Sequence, residues 1–325
     1  MYANPQIEQM NRSSLQRLQL ERLKKQVKWA QEKSRFYQER FRSVGVSYTD
    51  IHTLEDISRL PLTERSMLAR THFMDWMTMP LSGVLRVQAL PEEGESLTRA
   101  YTNGDIAHNV EMMTRCLTAA GVMNVSLVAV QGDLSDSRLL DIQYALEILG
   151  AAVVPMGTDY HQWLRMLDMV GADTLVSTPH LVLQLVIQLQ TAGRNIVDSP
   201  LKRILCWSRQ GVQDPLRRHI QERTQARLYD LYGPAELGTA GILYQCEAHN
   251  GYHIQEDYYY PEIVDFHSDH VIHEPQHMGE LVLTSLAAEA MPLIRYRTGQ
   301  AAMLEEEPCS CGRTLRRIIT PLSAV

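Results

Sequence analysis

The sequence has 325 residues, of which 45% are hydrophobic and 21% charged, a composition typical of globular and not of disordered chains. Its formal net charge of -7 comes without a basic stripe, which excludes nucleic acid as the main partner, and no apolar run reaches the roughly 20 residues of a membrane helix. The N-terminus lacks the layout of a secretory signal, so we predict a cytoplasmic protein whose five cysteines are thiols or metal ligands.

The clearest predicted helix lies near the N-terminus, over residues 12–42. Ser13 and Gln16 match a capping box, and apolar residues recur at helical spacing along one face. The opposite face carries charged side chains and should be solvated. A loop-rich stretch follows. We therefore assign residues 1–80 to a helical segment that packs on the core.

Short apolar runs alternate with helical patterns from about residue 104 to 232. The runs SLVAV, AAVVP, TLVS, RILCW and ARLYDLY predict buried strands, and the segments between them have the period of helices. Buried strands separated by helices are typical of a parallel sheet with crossover connections on its faces. The sequence therefore predicts an α/β fold with a layered, largely parallel sheet over residues 81–236.

The pattern changes after Gly238 to short β-rich runs broken by turn residues, among them GILYQ, PEIVDF and GELVLTSL. We interpret residues 237–325 as an appended, mainly antiparallel region. Such a region has little core of its own, so a metal site would help to hold it together.

Three cysteines of this region suggest such a site. Cys309 and Cys311 are one residue apart and precede a glycine, which suits a tight turn, while Cys246 and a nearby histidine, His249 or His253, lie about sixty positions earlier. Four such ligands suit a tetrahedral structural zinc ion and leave no open position for catalysis. The alternative is that they are ordinary buried thiols.

The remaining thiols and isolated histidines are predicted to be structural. Cys116 and Cys206 fall within helix and strand patterns and are expected in the core. His161, His180 and His219 have no acid or nucleophile at a suggestive spacing, so we expect structural or surface roles for them.

Three stretches carry a resemblance to one family: LYDLYGPAELG at 228–238, CEAHNGYHIQEDYYYPEIVD at 246–265, and GELVLTSLAAEAMPLIRYRTGQ at 279–300 followed by PCSCGRTLRRI at 308–318. They resemble the phenylacetate-CoA ligase family, a branch of the adenylate-forming enzymes. The resemblance implies the N-terminal core of that fold. Members of the family activate an aromatic or fatty acid with ATP to an acyl-adenylate and pass the acyl group to coenzyme A.

The resemblance also implies roles for single residues. It places Tyr232 against adenine with Gly233 in the same turn, makes Glu236 the acid associated with magnesium, and puts Gln300 at the ribose. Arg297 would pair with a carboxylate of the fold or contact an anionic ligand. Glu236 and Arg297 are therefore the catalytic candidates.

The family also bears on the zinc ligands. Members with a Cys-x-Cys-Gly-Arg-Thr motif pair it with the cysteine and histidine of a Cys…Gly-x-His stretch. In this sequence the resemblance implies Cys246 and His253, with His249 as runner-up, beside Cys309 and Cys311.

Several positions depart from the pattern that the family uses for ATP. Its Gly- and Ser/Thr-rich phosphate loop corresponds to LPEEGESLT at 90–98, which has one glycine, no lysine and three carboxylates that would repel a triphosphate. The turn beside adenine reads Ser-Arg-Gln-Gly at 208–211, Ala235 replaces a hydroxyl residue, and Gln300 replaces a carboxylate.

The last departure concerns the end of the chain. The sequence stops at IITPLSAV, where the family continues into a C-terminal subdomain with a catalytic lysine, so we expect no lid domain. Together, these departures predict a protein that does not use ATP and magnesium in the family's way.

Three functions are consistent with these features. The first, which we prefer, is a phenylacetate-CoA-ligase-like protein that keeps an organic-acid or acyl pocket and is diverted to binding or to ATP-independent acyl transfer. The second is a working ATP-dependent ligase of aryl acids with an unorthodox phosphate site, completed by a separately encoded subdomain. The third is a non-enzymatic protein that docks to a pathway enzyme. The expected partners are a small organic acid or acyl ligand and a protein partner or second copy of the chain.

Overall fold

The computed structural model describes residues 1–90, 97–133, 135–157, 159, 163, 169–208, 216–274 and 276–320. The α-helices are α1 (Pro5–Glu8), α2 (Arg12–Lys33), α3 (Arg35–Val44), α4 (Arg65–Arg70), α5 (Phe73–Trp76), α6 (Asn103–Ala119), α7 (Arg138–Leu149), α8 (Pro179–Thr191) and α9 (Arg217–Thr224). The strands are β1 (Arg86–Leu90), β2 (Leu97–Tyr101), β3 (Leu127–Gln131), β4 (Ala152–Met156), β5 (Thr174–Ser177), β6 (Arg203–Ser208), β7 (Arg227–Tyr232), β8 (Leu243–Tyr244), β9 (Tyr252–Ile254), β10 (Tyr259–Val264), β11 (Gly279–Ser285), β12 (Tyr296–Glu305) and β13 (Arg317–Ile319). None of these described helices is long and apolar enough to cross a membrane.

One large sheet of eleven described strands organises the fold, in the order β10-β11-β12-β13-β9-β8-β7-β6-β5-β3-β4. The strands from β4 to β7 are parallel, which confirms the predicted α/β core. From β7 onward every pairing is antiparallel. The β-rich strands were expected as an appendage, but they continue the same sheet because β8 pairs with the free edge of β7. The whole sheet is therefore mixed.

The predicted N-terminal helix is two helices, α2 and α3. They are separated at Ser34, which is extended (φ −95°, ψ 122°) and buried, and whose hydroxyl donates a hydrogen bond to the carbonyl of Asp75 at 2.9 Å. The expected cap was also wrong. Asn11, and not Ser13, is the N-cap, and its side chain accepts a hydrogen bond from the Ser14 N–H at 2.9 Å. Asparagine is among the preferred residues at that position.

The turn between β9 and β10 carries two fully buried acids, Glu256 and Asp257. Glu256 pairs with Arg12 of α2 and with Arg316 beside β13, each at 2.7 Å, and Asp257 pairs with Arg115 of α6 at 2.8 Å. Burial raises the pKa of Glu256, but Arg316 and Arg12 outweigh it, so the pKa is lowered and the carboxylate stays ionised. This buried acidic turn therefore fastens the N-terminal helices and α6 to the β-rich half of the sheet.

A separate two-stranded hairpin, β1 and β2, lies beside the sheet. Its strands pair antiparallel up to Leu90 and Leu97, so residues 91–96 connect them. Arg86 of β1 pairs with buried Asp141 of α7 at 2.6 Å, which fixes the hairpin to the helices that cover the parallel strands. The centre of the predicted phosphate loop, residues 91–96, lies outside the described residues.

We expect Glu256→Gln to lower the free energy of unfolding by about 3 kcal/mol or more, because it leaves two guanidinium groups without their buried carboxylate. Urea unfolding followed by circular dichroism measures this. Glu21→Gln is the matched control, since Glu21 pairs with Lys25 on the exposed face of α2 and its loss should not move the unfolding midpoint. Equal midpoints for the two variants would show that the buried acidic turn does not hold the fold together.

Candidate functional site

The turn that follows β7 carries the Tyr232–Glu236 motif, where the sheet changes from parallel to antiparallel pairing. A Cβ added at Gly233 would lie 1.9 Å from the carbonyl oxygen of Thr239, so only glycine fits there. A short 3-10 turn over Ala235–Leu237 follows and ends at Gly238, whose φ is +83°. The backbone thereby presents Tyr232 and Glu236 to the same cavity.

This polar cavity has a volume of about 730 Å³ and brings together Tyr232, Glu236 and Arg297 from the predicted site residues. Burial raises the pKa of the Tyr232 phenol well above its usual value, so the ring stays neutral. The charged residues of the lining are Glu64, Arg65, Arg138, Glu236, Glu280 and Arg297.

Each arginine in the lining of the polar cavity contacts a carboxylate. The pairs are Arg65–Glu236, Arg138–Asp136 (2.6 Å) and Arg297–Glu280 (2.7 Å). Positive charge on these walls is therefore already compensated within the protein. Of the two roles considered for Arg297, the structure shows pairing with a carboxylate of the fold.

Gln300 lies next to the polar cavity, one residue beyond Gly299 of the lining. The carboxylate of Glu280 accepts hydrogen bonds from the Gly299 N–H at 2.9 Å and from Arg297 at 2.7 Å, which shapes this irregular part of β12. The Gln300 carboxamide donates to the carbonyl of Ala301 at 3.0 Å. The side-chain NH2 group of Gln300 therefore bonds to the next residue of the same strand, β12.

The predicted metal ligands converge on a second site. The ligand atoms of Cys246, His253, Cys309 and Cys311 all lie within 4.8 Å of one another. The Cys246 and Cys309 sulfurs are 3.8 Å apart, and Cys311 Sγ is 3.4 Å from His253 Nε2. His249 is not in this group. Its ring instead lies against Tyr229, with ring centroids 4.8 Å apart.

The surroundings of the Cys/His group orient its ligands. The other ring nitrogen of His253, Nδ1, lies 3.2 Å from the carbonyl of Leu315, a contact that leaves Nε2 facing the thiols. Arg313, two residues after Cys311, pairs with the fully buried carboxylate of Glu8 at 2.6 Å. The N-terminal segment is therefore joined to the loop that carries two of the cysteines.

An apolar pocket of about 470 Å³ adjoins the polar cavity and shares Glu236 with it. Leu68, Phe73 and Trp76 come from α4 and α5, and Arg99 comes from β2. Sequence reasoning did not identify this pocket. The signal was present in LTRAY, where a charged residue stands in a short strand whose other inward side chains are apolar.

Other predicted residues lie elsewhere. Cys116 and Cys206 are buried, which confirms that they are core residues, and burial raises the pKa of Cys116 to about 12. His180 and His219 are exposed. His161 and residues 209–211 of the predicted adenine turn lie outside the described residues.

Two curated relatives are similar to this chain along most of its length. The phenylacetate-coenzyme A ligase of Pseudomonas putida is 31% identical over 309 residues, which cover 94% of this chain and 69% of the relative. The Escherichia coli (strain K12) protein of the same name is 30% identical over 316 residues, covering 96% and 71%. No family model matches the chain.

Solved structures show the same fold. An open conformation of 2-hydroxyisobutyryl-CoA ligase in complex with 2-HIB-AMP and CoA has a TM-score of 0.88 at 21% identity, covering 97% of this chain and 70% of that one. A long-chain-fatty-acid-CoA ligase from Archaeoglobus fulgidus has a TM-score of 0.53 at 10% identity, covering 72% and 50%. The fold is therefore that of the adenylate-forming core.

We expect Gly233→Ala to lower the free energy of unfolding by about 1–3 kcal/mol, because the added methyl group forces the turn after β7 away from the Thr239 carbonyl. Gly157→Ala is the matched control, since a Cβ at Gly157 meets no atom within 4 Å. Chemical unfolding of both variants measures the difference. A Gly233→Ala protein as stable as the control would mean that the close approach does not constrain the turn.

Proposed function

Since the chain belongs to the phenylacetate-CoA ligase family, we propose that it binds a small organic acid or acyl group and does not activate it with ATP and magnesium in the family's way. A free acid is held, or an acyl group is passed from an acyl thioester to an acceptor with release of the thiol, and neither step includes adenylation.

The observation that carries this proposal is the pairing of the arginines in the polar cavity. A triphosphate needs cations or backbone N–H groups that are available to its oxygens. Here Arg65, Arg138 and Arg297 each contact a carboxylate already. Binding ATP would require breaking these pairs or burying its charge against them, and both cost free energy.

The sequence of the hairpin connection supports the same conclusion. Glu92, Glu93 and Glu95 stand in the segment that joins β1 to β2, where the family has its phosphate loop. Carboxylates placed there would repel the phosphates.

Glu236, the acid that the family resemblance associates with magnesium, gives a third argument. Magnesium requires oxygen ligands with available negative charge. The carboxylate of Glu236 is buried and contacts the guanidinium of Arg65, which competes with a metal ion for the same oxygens.

One observation favours the second candidate, a working ligase. Arg297 stands 61 residues after Glu236 in the sequence, yet it lines the same cavity as Tyr232 and Glu236, at the parallel-to-antiparallel change of the sheet. A rebuilt phosphate site beside them would complete an ATP-dependent enzyme, so the test must include pyrophosphate exchange.

We also propose that Cys246, His253, Cys309 and Cys311 hold a structural zinc ion. Tetrahedral zinc with thiolate and imidazole ligands places sulfur atoms about 3.8 Å apart and sulfur about 3.5 Å from nitrogen. The observed distances agree with these values: 3.8 Å between the sulfurs of Cys246 and Cys309, and 3.4 Å from Cys311 Sγ to His253 Nε2. All five cysteines are free thiols, which also fits the cytoplasmic location that we propose.

We expect calorimetric titration with ATP and magnesium to give no binding heat up to millimolar ATP, because the arginines of the polar cavity are already paired. An active phenylacetate-CoA ligase run in parallel is the positive control. ATP binding with micromolar affinity, about −8 kcal/mol, or exchange of labelled pyrophosphate into ATP with phenylacetate, would establish the ligase instead.

We expect the purified protein to contain about one zinc ion per chain and Cys311→Ser to lose it, since three ligands bind zinc far less tightly than four. Elemental analysis measures the zinc, and thiolate-to-metal absorption after cobalt substitution reports the ligands. Cys206→Ala, a core thiol outside the group, should keep the metal. A metal-free wild-type protein whose stability is unchanged by zinc or chelator would contradict the zinc site.

A further inference from the structure

We propose that the carboxyl end of β10 binds a divalent transition-metal ion through His267, His270, His277 and Glu274. These residues belong to the loop that joins β10 to β11, which is described over residues 265–274 and 276–278 and is called the histidine loop below. The site is separate from the Cys/His group. It also does not depend on whether the protein binds ATP or an organic acid.

Histidine is concentrated in this loop. Four of the twelve histidines of the chain stand at positions 267, 270, 273 and 277. All four side chains are exposed, and within the described part of the chain none of them is engaged in a hydrogen bond. Imidazole is the commonest protein ligand of transition-metal ions, and a short histidine-rich tract is typical of metal binding.

Strand pairing brings three of these histidines to one place. Val264, the last residue of β10, pairs antiparallel with Glu280 of β11 on one edge and with Val271 on the other. Because both pairings are antiparallel, the residues just before Val271 and just before Glu280 lie beyond the carboxyl end of β10. The turn that leaves β10 starts at the same point. The histidines that lie there are His267, His270 and His277.

The turn itself is ordered by hydrogen bonds of Asp265. Its carboxylate accepts from the N–H of His267 at 2.9 Å and from the hydroxyl of Ser268 at 3.1 Å. The Asp265 N–H donates to the carbonyl of His270 at 2.9 Å. The two segments that flank β10 are two strand spacings apart, roughly 10 Å, which imidazoles from both sides can bridge through one ion.

Glu274 adds a carboxylate to the same place. A hydrogen bond from its own backbone N–H lowers the pKa of the Glu274 carboxyl, and the charges of His277 and His270 lower it further. Both imidazoles therefore lie within electrostatic reach of this carboxylate. Imidazoles with a single carboxylate suit zinc, nickel or copper ions, whereas magnesium and calcium prefer oxygen ligands.

His273 faces a different part of β10. Burial raises the pKa of the Glu262 carboxyl, and the charges of Arg295 and His273 oppose that rise. Glu262 stands in the middle of β10 and pairs with Val282 of β11, away from the carboxyl end of the strand. We therefore leave His273 out of the ligand set.

The ligand atoms of the histidine loop must be drawn together by the ion. Among the described residues, the Cys/His group is the one set of three or more ligand atoms that already converges. Exposed side chains can change rotamer, but ordering them costs conformational entropy. We therefore expect micromolar affinity, weaker than that of a preformed structural zinc site.

The histidine loop borders the polar cavity. Asp269 of the loop contacts Arg297 at 3.5 Å, and Arg297 lines the cavity together with Glu280, the second residue of β11. An ion that joins His270 to His277 would therefore fix the position of a loop at the rim of this cavity.

Calorimetric titration of the zinc-replete protein with zinc chloride tests the site. We expect one further zinc ion to bind with micromolar affinity. His270→Ala and His277→Ala should each weaken it at least about tenfold, since even the loss of an outer-shell partner costs that much. Glu274→Gln should weaken it as well. His273→Ala, on the same loop, is the matched control and should bind zinc as the wild type does.

Each outcome decides the proposal. No further zinc bound at millimolar concentration, equal affinity in all variants, or displacement of the zinc by magnesium would overturn it. A loss in His273→Ala equal to that in His277→Ala would also overturn it, because scattered surface imidazoles would then account for the binding.

Thermal unfolding provides a second measurement. Zinc should raise the Tm of the wild type by mass action and should not raise that of the double variant His270→Ala/His277→Ala beyond the effect of the first zinc ion. An equal rise in both proteins would contradict the site. Cys311→Ser removes a ligand of the Cys/His group alone, so the two zinc sites can fail separately.

Discussion

The buried acidic turn of Glu256 and Asp257 is the constraint on which the rest of the molecule depends. Two carboxylates without solvent need guanidinium partners, and these come from α2, α6 and the segment before β13. The turn therefore determines where the N-terminal helices lie. After these helices, still within the N-terminal 80 residues, Thr63 exchanges backbone hydrogen bonds with Arg295 and Arg297 at the start of β12. Arg65 follows directly and reaches Glu236, so the chemistry of the polar cavity depends on how the N-terminal segment docks.

The arginines of the polar cavity and of the apolar pocket differ in their partners. In the polar cavity each arginine faces a carboxylate, and the walls are nearly neutral. In the apolar pocket Arg99 donates to the backbone carbonyl of Glu236 and forms no ion pair with a carboxylate of the described residues. Glu236 belongs to both linings. Its carboxylate contacts Arg65 while its backbone carbonyl accepts a hydrogen bond from Arg99, so this one residue connects the two linings.

The sequence predicted the strands of the parallel half well, because buried parallel strands are apolar runs such as TLVS and RILCW that need no long-range information. It also predicted the members of the Cys/His group, since their spacing and the family resemblance agree, and the structure selects His253 over His249. It did not predict the interruption at Ser34, because the carbonyl that its hydroxyl meets belongs to Asp75, distant in sequence. Arg99 was missed for the same reason: its contact with the backbone of Glu236, and with no carboxylate of the described residues, is a property of the packed molecule.

The ion pair between Glu8 and Arg313 sets an order of events during synthesis. The two residues are 305 positions apart, so on the ribosome Glu8 emerges long before its partner exists. Until then the Glu8 carboxylate has only local partners, the N–H groups of Ala3 and Asn4, and the N-terminal segment has Glu111 of α6 to contact through Asn4. The link between the N-terminal segment and the loop that carries Cys309 and Cys311 can therefore form only when nearly all of the described chain has been made.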